Sequence, residues 1–297
     1  MKFSDRLKGC LVGGAIGDGL GSAFEGQVPG SSIDLDVPWA ITDDTQLTMA
    51  TCEALIESKR PAPEKMAAIF LEWYNGRRLT GLGSSTLKAL RDLQIGAHWW
   101  LAGRSGEYGA GNGAAMRIAP LAFFLSPDED RALIRDICSI THKNDEAYVG
   151  CLCLLYALTY IIQGKWDETS SLIELITPHI PDTATRDNLL RLQDKPELTI
   201  KEAADLVGCS GHVVQSIPFV ISAAQKIRSK SFTSILIEII LCGGDTDTNA
   251  SMAGQIIGAY HGYSGLSDDL LSRFKKIRES AYILETAERL VLEHQFP

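Results

Sequence analysis

Two short runs in this chain concentrate oxygen-bearing side chains: Thr42-Asp43-Asp44-Thr45 and Gly243-Gly244-Asp245-Thr246-Asp247-Thr248-Asn249. Each comes just before an apolar-periodic segment, so part of the pattern is helix capping. Thr42 is a good N-cap, and acids in a first turn suit the helix dipole. Capping needs one side chain, however, whereas each run offers two carboxylates and two hydroxyls. These are hard oxygen donors of the kind Mg²⁺ and Mn²⁺ favour. Carboxylates from two such runs can serve a shared pair of ions about 4 Å apart. The spacing excludes an EF-hand, because Ala250 stands where the loop needs Gly and Ile256 where it needs Glu.

Three further groups are candidates. Gly9, Gly13, Gly17 and Gly21 recur every fourth residue, so on a helix they form one face against which another backbone can close. Asp18 lies within this apolar stretch and is costly there unless paired or liganded; Glu25 follows seven residues later and shares its face if the helix continues. The loop Gly109-Ala110-Gly111-Asn112-Gly113-Ala114-Ala115-Met116-Arg117 exposes backbone N–H groups ahead of an expected helix. That setting suits a phosphate, with Asn112 as a polar handle and Arg117 as a charge. Thr141-His142 precedes Asp145 and Glu146; its plainest reading is a helix-capping Thr beside an incidental His.

Helices must position these groups. In 43–58 apolar residues fall at helical spacing, and similar faces occur in 64–74, 129–140, 145–162, 186–193, 201–207, 212–228, 233–241, 248–261, 267–275 and 279–294. Segment 233–241 is β-branched enough for a strand, but without partner strands it reads as a buried helix. If it were a strand, the Asp245-x-Asp247 run behind it would fit an aspartate-nucleophile phosphatase, a minor alternative. The glycines cluster in 9–30, 76–113 and 243–262, and nothing between them looks like a linker. One compact helical domain over 1–297 is the expectation.

The composition, 45% hydrophobic and 22% charged, excludes a disordered chain. With 28 basic and 37 acidic residues the net charge is −9, which argues against non-specific nucleic-acid binding. The seven Cys form no CxxC pair and read as buried free thiols of a reducing compartment. No run reaches the roughly 18 apolar residues expected of a spanning helix. Asp5 and Asp18 spoil a signal-peptide reading of the N-terminus, so a cytoplasmic protein without membrane partners is expected.

In order and spacing, the segments GCLVGGAIGDGLGSAFEG (9–26), TDDT (42–45), GNGAAMR (111–117), TH (141–142) and GGDTDT (243–248) resemble the ADP-ribosylglycohydrolase family, which includes dinitrogenase-reductase-activating glycohydrolase and the ADP-ribosyl-acceptor hydrolases. The resemblance implies an all-α, compact, single-domain orthogonal bundle around two Mg²⁺ or Mn²⁺ ions. It implies metal ligands at Thr42, Asp43, Asp44, Asp245, Asp247 and Thr248, and catalysis by Glu25, Asp44 and Asp247. It places ADP-ribose on Tyr108, Gly111, Asn112, Gly113, Met116 and His142. The implied reaction is hydrolysis of the bond between ADP-ribose and an acceptor, by a monomer acting on ADP-ribosylated protein or small molecules, and on nucleic acid only where it is ADP-ribosylated. A catalytically silent ADP-ribose binder is the alternative. Gly81 stands about where some arginine-directed members carry an acid, which argues against an acceptor restricted to arginine.

Overall fold

The computed structural model describes residues 1–294 except Val28, Ser31, Lys59 and 167–169. The chain enters through α1 (Phe3–Gly21) and continues through α2 (Asp43–Glu57), α3 (Pro63–Asn75), α4 (Ser84–Gln94) and the short α5 (Trp99–Ala102). Then come α6 (Arg131–Ser139), α7 (Asp145–Ile162), α8 (Leu172–Ile176), α9 (Ala184–Gln193) and α10 (Ile200–Val207). The last third is α11 (Val213–Ala224), α12 (Phe232–Leu241), α13 (Thr246–His261), α14 (Asp268–Phe274) and α15 (Ser280–Glu293). The only sheet among the described residues is a two-residue parallel pair, Arg104–Ser105 beside His142–Lys143. The fold is all-α, and α12 is a helix, so the phosphatase alternative loses the strand it required.

The glycine face of α1 packs directly on α13. A Cβ added at Gly13 would lie 2.3 Å from the Gly254 carbonyl oxygen, and one at Gly17 would lie 2.0 Å from that of Ala250. The fit is reciprocal, since a Cβ at Gly258 would lie 2.1 Å from the Gly9 oxygen. Partners run 9 with 258, 13 with 254 and 17 with 250, so the helices are antiparallel. The last turn of α1 therefore sits beside the first turn of α13, where Thr246 Oγ1 donates to the Gly21 carbonyl at 2.9 Å.

Helix α7 forms the floor of the core against α6, α11 and α13. Its 18 residues have a mean hydropathy of 1.4, so by length and composition it is apolar enough to cross a membrane, which corrects the expectation that no segment is; 72% of it is buried inside the protein. The glycine-rich 76–113 region hides a helix the periodicity scan passed over. In α4, Ser85, Thr86, Ala89, Leu90 and Leu93 face inward at helical spacing. Segment 212–228 is not one helix: α11 ends at Ala224 and a 3₁₀ turn follows over Gln225–Arg228.

Replacing Gly17 by Ala should destabilise the protein, although Ala is favoured in a helix interior by about 1 kcal/mol. The new methyl has only backbone to meet, so the helices must separate, at an expected net loss of about 1–3 kcal/mol. Urea unfolding of the variant checks this; unchanged stability would mean that the backbones do not make this contact.

Candidate active site at three helix ends

Three helix ends meet around a cavity of about 460 Å³. Asp18, in the last turns of α1, is fully buried. Its carboxylate accepts from Thr42 N at 3.0 Å, Thr45 N at 3.1 Å and Thr45 Oγ1 at 2.5 Å, and the Thr42 hydroxyl lies 2.8 Å from it. It thus satisfies backbone donors that the first turn of α2 leaves without intrahelical partners. That pairing orients Asp43 and Asp44. Asp44 Oδ2 lies 3.3 Å from Thr42 Oγ1 and accepts from Thr248 Oγ1 at 3.1 Å, so the two Asp-rich runs touch. Asp44 Oδ1 is buried with no hydrogen-bond partner.

The second run opens α13. Asp247 Oδ1 accepts from Thr248 N at 2.9 Å, and Asp245 Oδ2 accepts from Asn112 Nδ2 at 2.7 Å. Cys209 O, from the segment between α10 and α11, receives Asp245 N at 3.0 Å and Asn249 Nδ2 at 2.7 Å. Asp43, Asp44, Asp245, Asp247 and Thr248 all line the cavity. Carboxylate oxygens of Asp18, Asp44 and Asp247 lie within 4.8 Å of one another.

Among the described residues, no Lys or Arg lines this cavity. Burial first, then neighbouring carboxylates, pushes Asp43 up to about 7 and Asp44 well above its ordinary range. Burial, a hydrogen bond with Asp245 and its charge raise Asp247 to about 8. Burial raises Asp18 to about 6 against the pull of its four donors. Without a cation, burial and mutual repulsion thus favour the protonated forms of Asp43, Asp44 and Asp247.

The opposite wall is nearly neutral. It comprises Ser84, Ser85 and Thr86 at the start of α4, the Gly111–Gly113 loop with Met116, His142, and Ser210–Gly211. Tyr108 stands at the rim, 80% exposed, with its carbonyl receiving Ser85 Oγ at 2.8 Å. Gly111 and Gly113 leave room for the His142 ring: a Cβ at Gly113 would lie 2.9 Å from its Cε1. His142 Nδ1 is 2.8 Å from Thr141 Oγ1, and burial, with Arg117 and Arg104 nearby, pushes the imidazole down to about 3.

Several expectations need correction. Glu25 lines the cavity from the exposed rim, but it does not share a helical face with Asp18, because α1 ends at Gly21 and a 3₁₀ turn over Ser22–Phe24 intervenes. The glycine loop leads into 3₁₀ turns at Asn112–Ala114 and Ala119–Phe123, not into an α-helix. Arg117 brings no charge to the cavity: it is fully buried, donating to Thr141 Oγ1 at 2.8 Å. Thr141 caps no helix; Asn144 does, accepting from Glu146 N and Ala147 N. Asn112 spends its amide N–H on Asp245, so it braces the acidic pole as well as facing the cavity. Asp18, Ser84–Thr86 and Ser210–Gly211 join the site without having been among its expected residues. The Gly83-Ser84-Ser85-Thr86 run carries a helix-start signal, whereas Cys209-Ser210-Gly211 carries none.

Fold and site together define a helical hydrolase scaffold built on paired Asp-rich runs. The ADP-ribosylglycohydrolase family model matches residues 1–296, and the chain belongs to that family. It is 29% identical to ADP-ribosylarginine hydrolase Tri1 of Serratia proteamaculans, over 96% of this chain and 79% of that one. It is 26% identical to ADP-ribosylhydrolase ARH3 of Xenopus tropicalis, over 86% and 87%. A solved structure titled ADP-ribosylglycohydrolase-related protein complex superposes with a TM-score of 0.69 at 24% identity, covering 99% of both chains, and supports the fold.

The raised carboxyls give a pH prediction. Between their unfolded values near 4 and their folded values, the folded state binds more protons than the unfolded one. Metal-free stability must therefore fall as pH rises across that window, reaching its minimum contribution above about 8. Thermal unfolding in EDTA should show a melting temperature decreasing from pH 5.5 to 8.5 by roughly 5 °C, and saturating Mg²⁺ or Mn²⁺ should flatten the slope. A slope of opposite sign in EDTA would mean that the cluster is not proton-loaded.

Proposed function

We propose that the protein is a divalent-cation-dependent hydrolase that cleaves the glycosidic bond between ADP-ribose and an acceptor. The observation that carries the reading is the acidic pole: two Asp-rich helix starts meet in a cavity that no Lys or Arg lines among the described residues, and Asp44 Oδ1 is buried and unpartnered. This donor set fits two hard cations. Asp43, Asp44, Asp245 and Asp247, with Thr42 and Thr248, are the residues that would hold Mg²⁺ or Mn²⁺. When bound, such ions polarise oxygen and fix an oxygen-rich substrate in place.

The residues of the chain supply the rest. Displacement at the anomeric carbon passes through an oxocarbenium-like state and needs a carboxylate near the attacking water. Glu25 is exposed at the rim and makes no hydrogen bond among the described residues, so its carboxylate is free to take a proton there. Asp44 and Asp247 are buried deeper and orient the reacting end. The glycine-backed wall, with His142 and Met116, accommodates the ADP portion, and Tyr108 at the rim offers a ring for the adenine. A silent binder would gain nothing from four carboxylates whose burial destabilises the apo protein.

We further propose an acceptor not limited to arginine. Gly81 has a positive φ of 80°, where a side chain is strained, and a Cβ there would lie 3.2 Å from Asp43 Oδ1, closer than ordinary contact. Asp92 is tied to Lys88 at 2.7 Å, and Glu107 is exposed and does not line the cavity. At these three positions a guanidinium in the cavity finds no free carboxylate, and Glu25 at the rim is taken up by the reaction in this reading, which forfeits a charge-assisted contact worth roughly 1.5–3 kcal/mol.

Asp247→Asn should abolish most divalent-dependent release of ADP-ribose from modified protein while the helical circular-dichroism signal persists. Glu25→Gln should lower kcat with little change in metal affinity; wild-type kinetics in that variant would take Glu25 out of the reaction. Matched arginine- and serine-linked ADP-ribosyl peptides should differ in kcat/KM by less than about a hundredfold. A thousandfold preference for arginine would reveal a guanidinium partner that this geometry does not contain.

A further inference from the structure

Arg117 is the largest fully buried side chain in the protein, and among the described residues no carboxylate pairs with it. Its guanidinium lies over the Phe70 ring, 4.6 Å from the centroid, and its Nε and Nη1 have no hydrogen-bond partner. Its one hydrogen bond runs from Nη2 to Thr141 Oγ1 at 2.8 Å, and the same oxygen lies 2.8 Å from His142 Nδ1. An unpaired interior cation is costly, so a position that holds one with a single bond calls for a reason.

The direction of the bonds supplies it. A guanidinium only donates, so the Thr141 oxygen is the acceptor in that pair. Thr141 is fully buried, and the acceptor within reach of its hydroxyl proton is His142 Nδ1. If Nδ1 carried the ring proton, Thr141 Oγ1 would receive two donors and its own proton would be stranded in the interior. With Nδ1 bare, the Arg117 Nη2 proton goes to Thr141 Oγ1 and the Thr141 hydroxyl proton goes to the ring. The ring proton then sits on Nε2, at the cavity, 3.2 Å from where a Cβ on Gly111 would be. The His142 backbone is held by its parallel pairing with Arg104 and by Cys138 Sγ donating to His142 O at 3.3 Å.

We propose that Arg117 and Thr141 are positioning residues that hold His142 as its Nε2–H tautomer, so that it presents a fixed, uncharged hydrogen-bond donor to an oxygen of bound ADP-ribose. The proposal rests on the functional reading above for the identity of the ligand but not for the tautomer. Burial and the two nearby arginines keep the ring neutral, in keeping with a donor whose direction does not change with pH. Arg117 acts through Thr141 and through its charge, and it touches no ligand.

The experiment is ¹⁵N NMR of the histidine rings in the ligand-free protein, with His142 assigned by its loss in His142→Gln, alongside calorimetric titration with ADP-ribose. Wild type should show one protonated nitrogen for His142, coupled as Nε2. Thr141→Val, which keeps shape and removes the hydroxyl, should give mixed tautomers and about tenfold weaker ADP-ribose binding, the size of one hydrogen bond. Thr141→Ser should restore both. Arg117→Met should also mix the tautomers without lowering the melting temperature, whereas a purely structural Arg117 would lower it and leave the ring signals alone. A wild-type ring protonated at Nδ1, or a Thr141→Val protein that keeps the Nε2–H form, overturns the relay. A wild-type protein with the expected tautomer that does not bind ADP-ribose overturns the functional reading instead.

Discussion

The site depends on how closely α1 and α13 approach. Packed helices ordinarily keep their axes about 8–10 Å apart, the distance being set by the side chains at the contact. Here Gly9, Gly13 and Gly17 meet the Gly258, Gly254 and Ala250 backbone with no room for a methyl. Because the helices are antiparallel, this contact decides where the first turn of α13 begins relative to the last turn of α1. Asp18 and Asp247 come within reach of each other only because of it. The α2 start then docks on Asp18 through Thr42 and Thr45, which brings in Asp44. A backbone contact, without polar chemistry of its own, assembles the polar chemistry.

That assembly works against stability. Each carboxylate is moved out of water beside others of the same sign, and no cation from the chain compensates them. Asp18 is least raised among those given values because four donors from α2 surround it, whereas Asp43 and Asp247 are shifted further. Two roles follow from this difference. Asp18 spends its oxygens on the fold and holds α2 in place. Asp44, with one oxygen unpartnered, remains free to bind something positively charged.

Much of this was legible in the sequence. The four-residue glycine repeat announced a close helix contact, and the Asp-Asp and Asp-Thr-Asp runs before apolar-periodic segments announced two acid-rich helix starts. Their convergence was suggested by type and is observed in the Asp44–Thr248 contact. Other features could not be read. Arg117 looked like a charge for a ligand because a sequence shows residue type, not burial. Thr141 looked like a cap because the competing cap, Asn144, lies only three residues on. The Cys209 carbonyl braces Asp245 and Asn249 through its backbone, which leaves no trace in residue type. Helix α4 was hidden by the glycines around it, and with it the hydroxyls of Ser85 and Thr86.

The two walls of the cavity divide the work according to how each tolerates charge. The acidic pole is proton-loaded or cation-loaded and changes state with its surroundings. The opposite wall does not change: its glycines have no side chains to move, its hydroxyls do not ionise, and His142 stays neutral by burial and by its cationic neighbours. Arg117 completes this division, because a buried cation on the far side of Thr141 raises the cost of a second positive charge on the imidazole. A ligand that carries phosphate would otherwise draw a proton onto a histidine beside it. Under the proposed function, a histidine kept neutral in this way would make the wall's hold on the ADP-ribose portion independent of the acidic pole, and the acceptor would be left to the open rim around Glu25 and Tyr108.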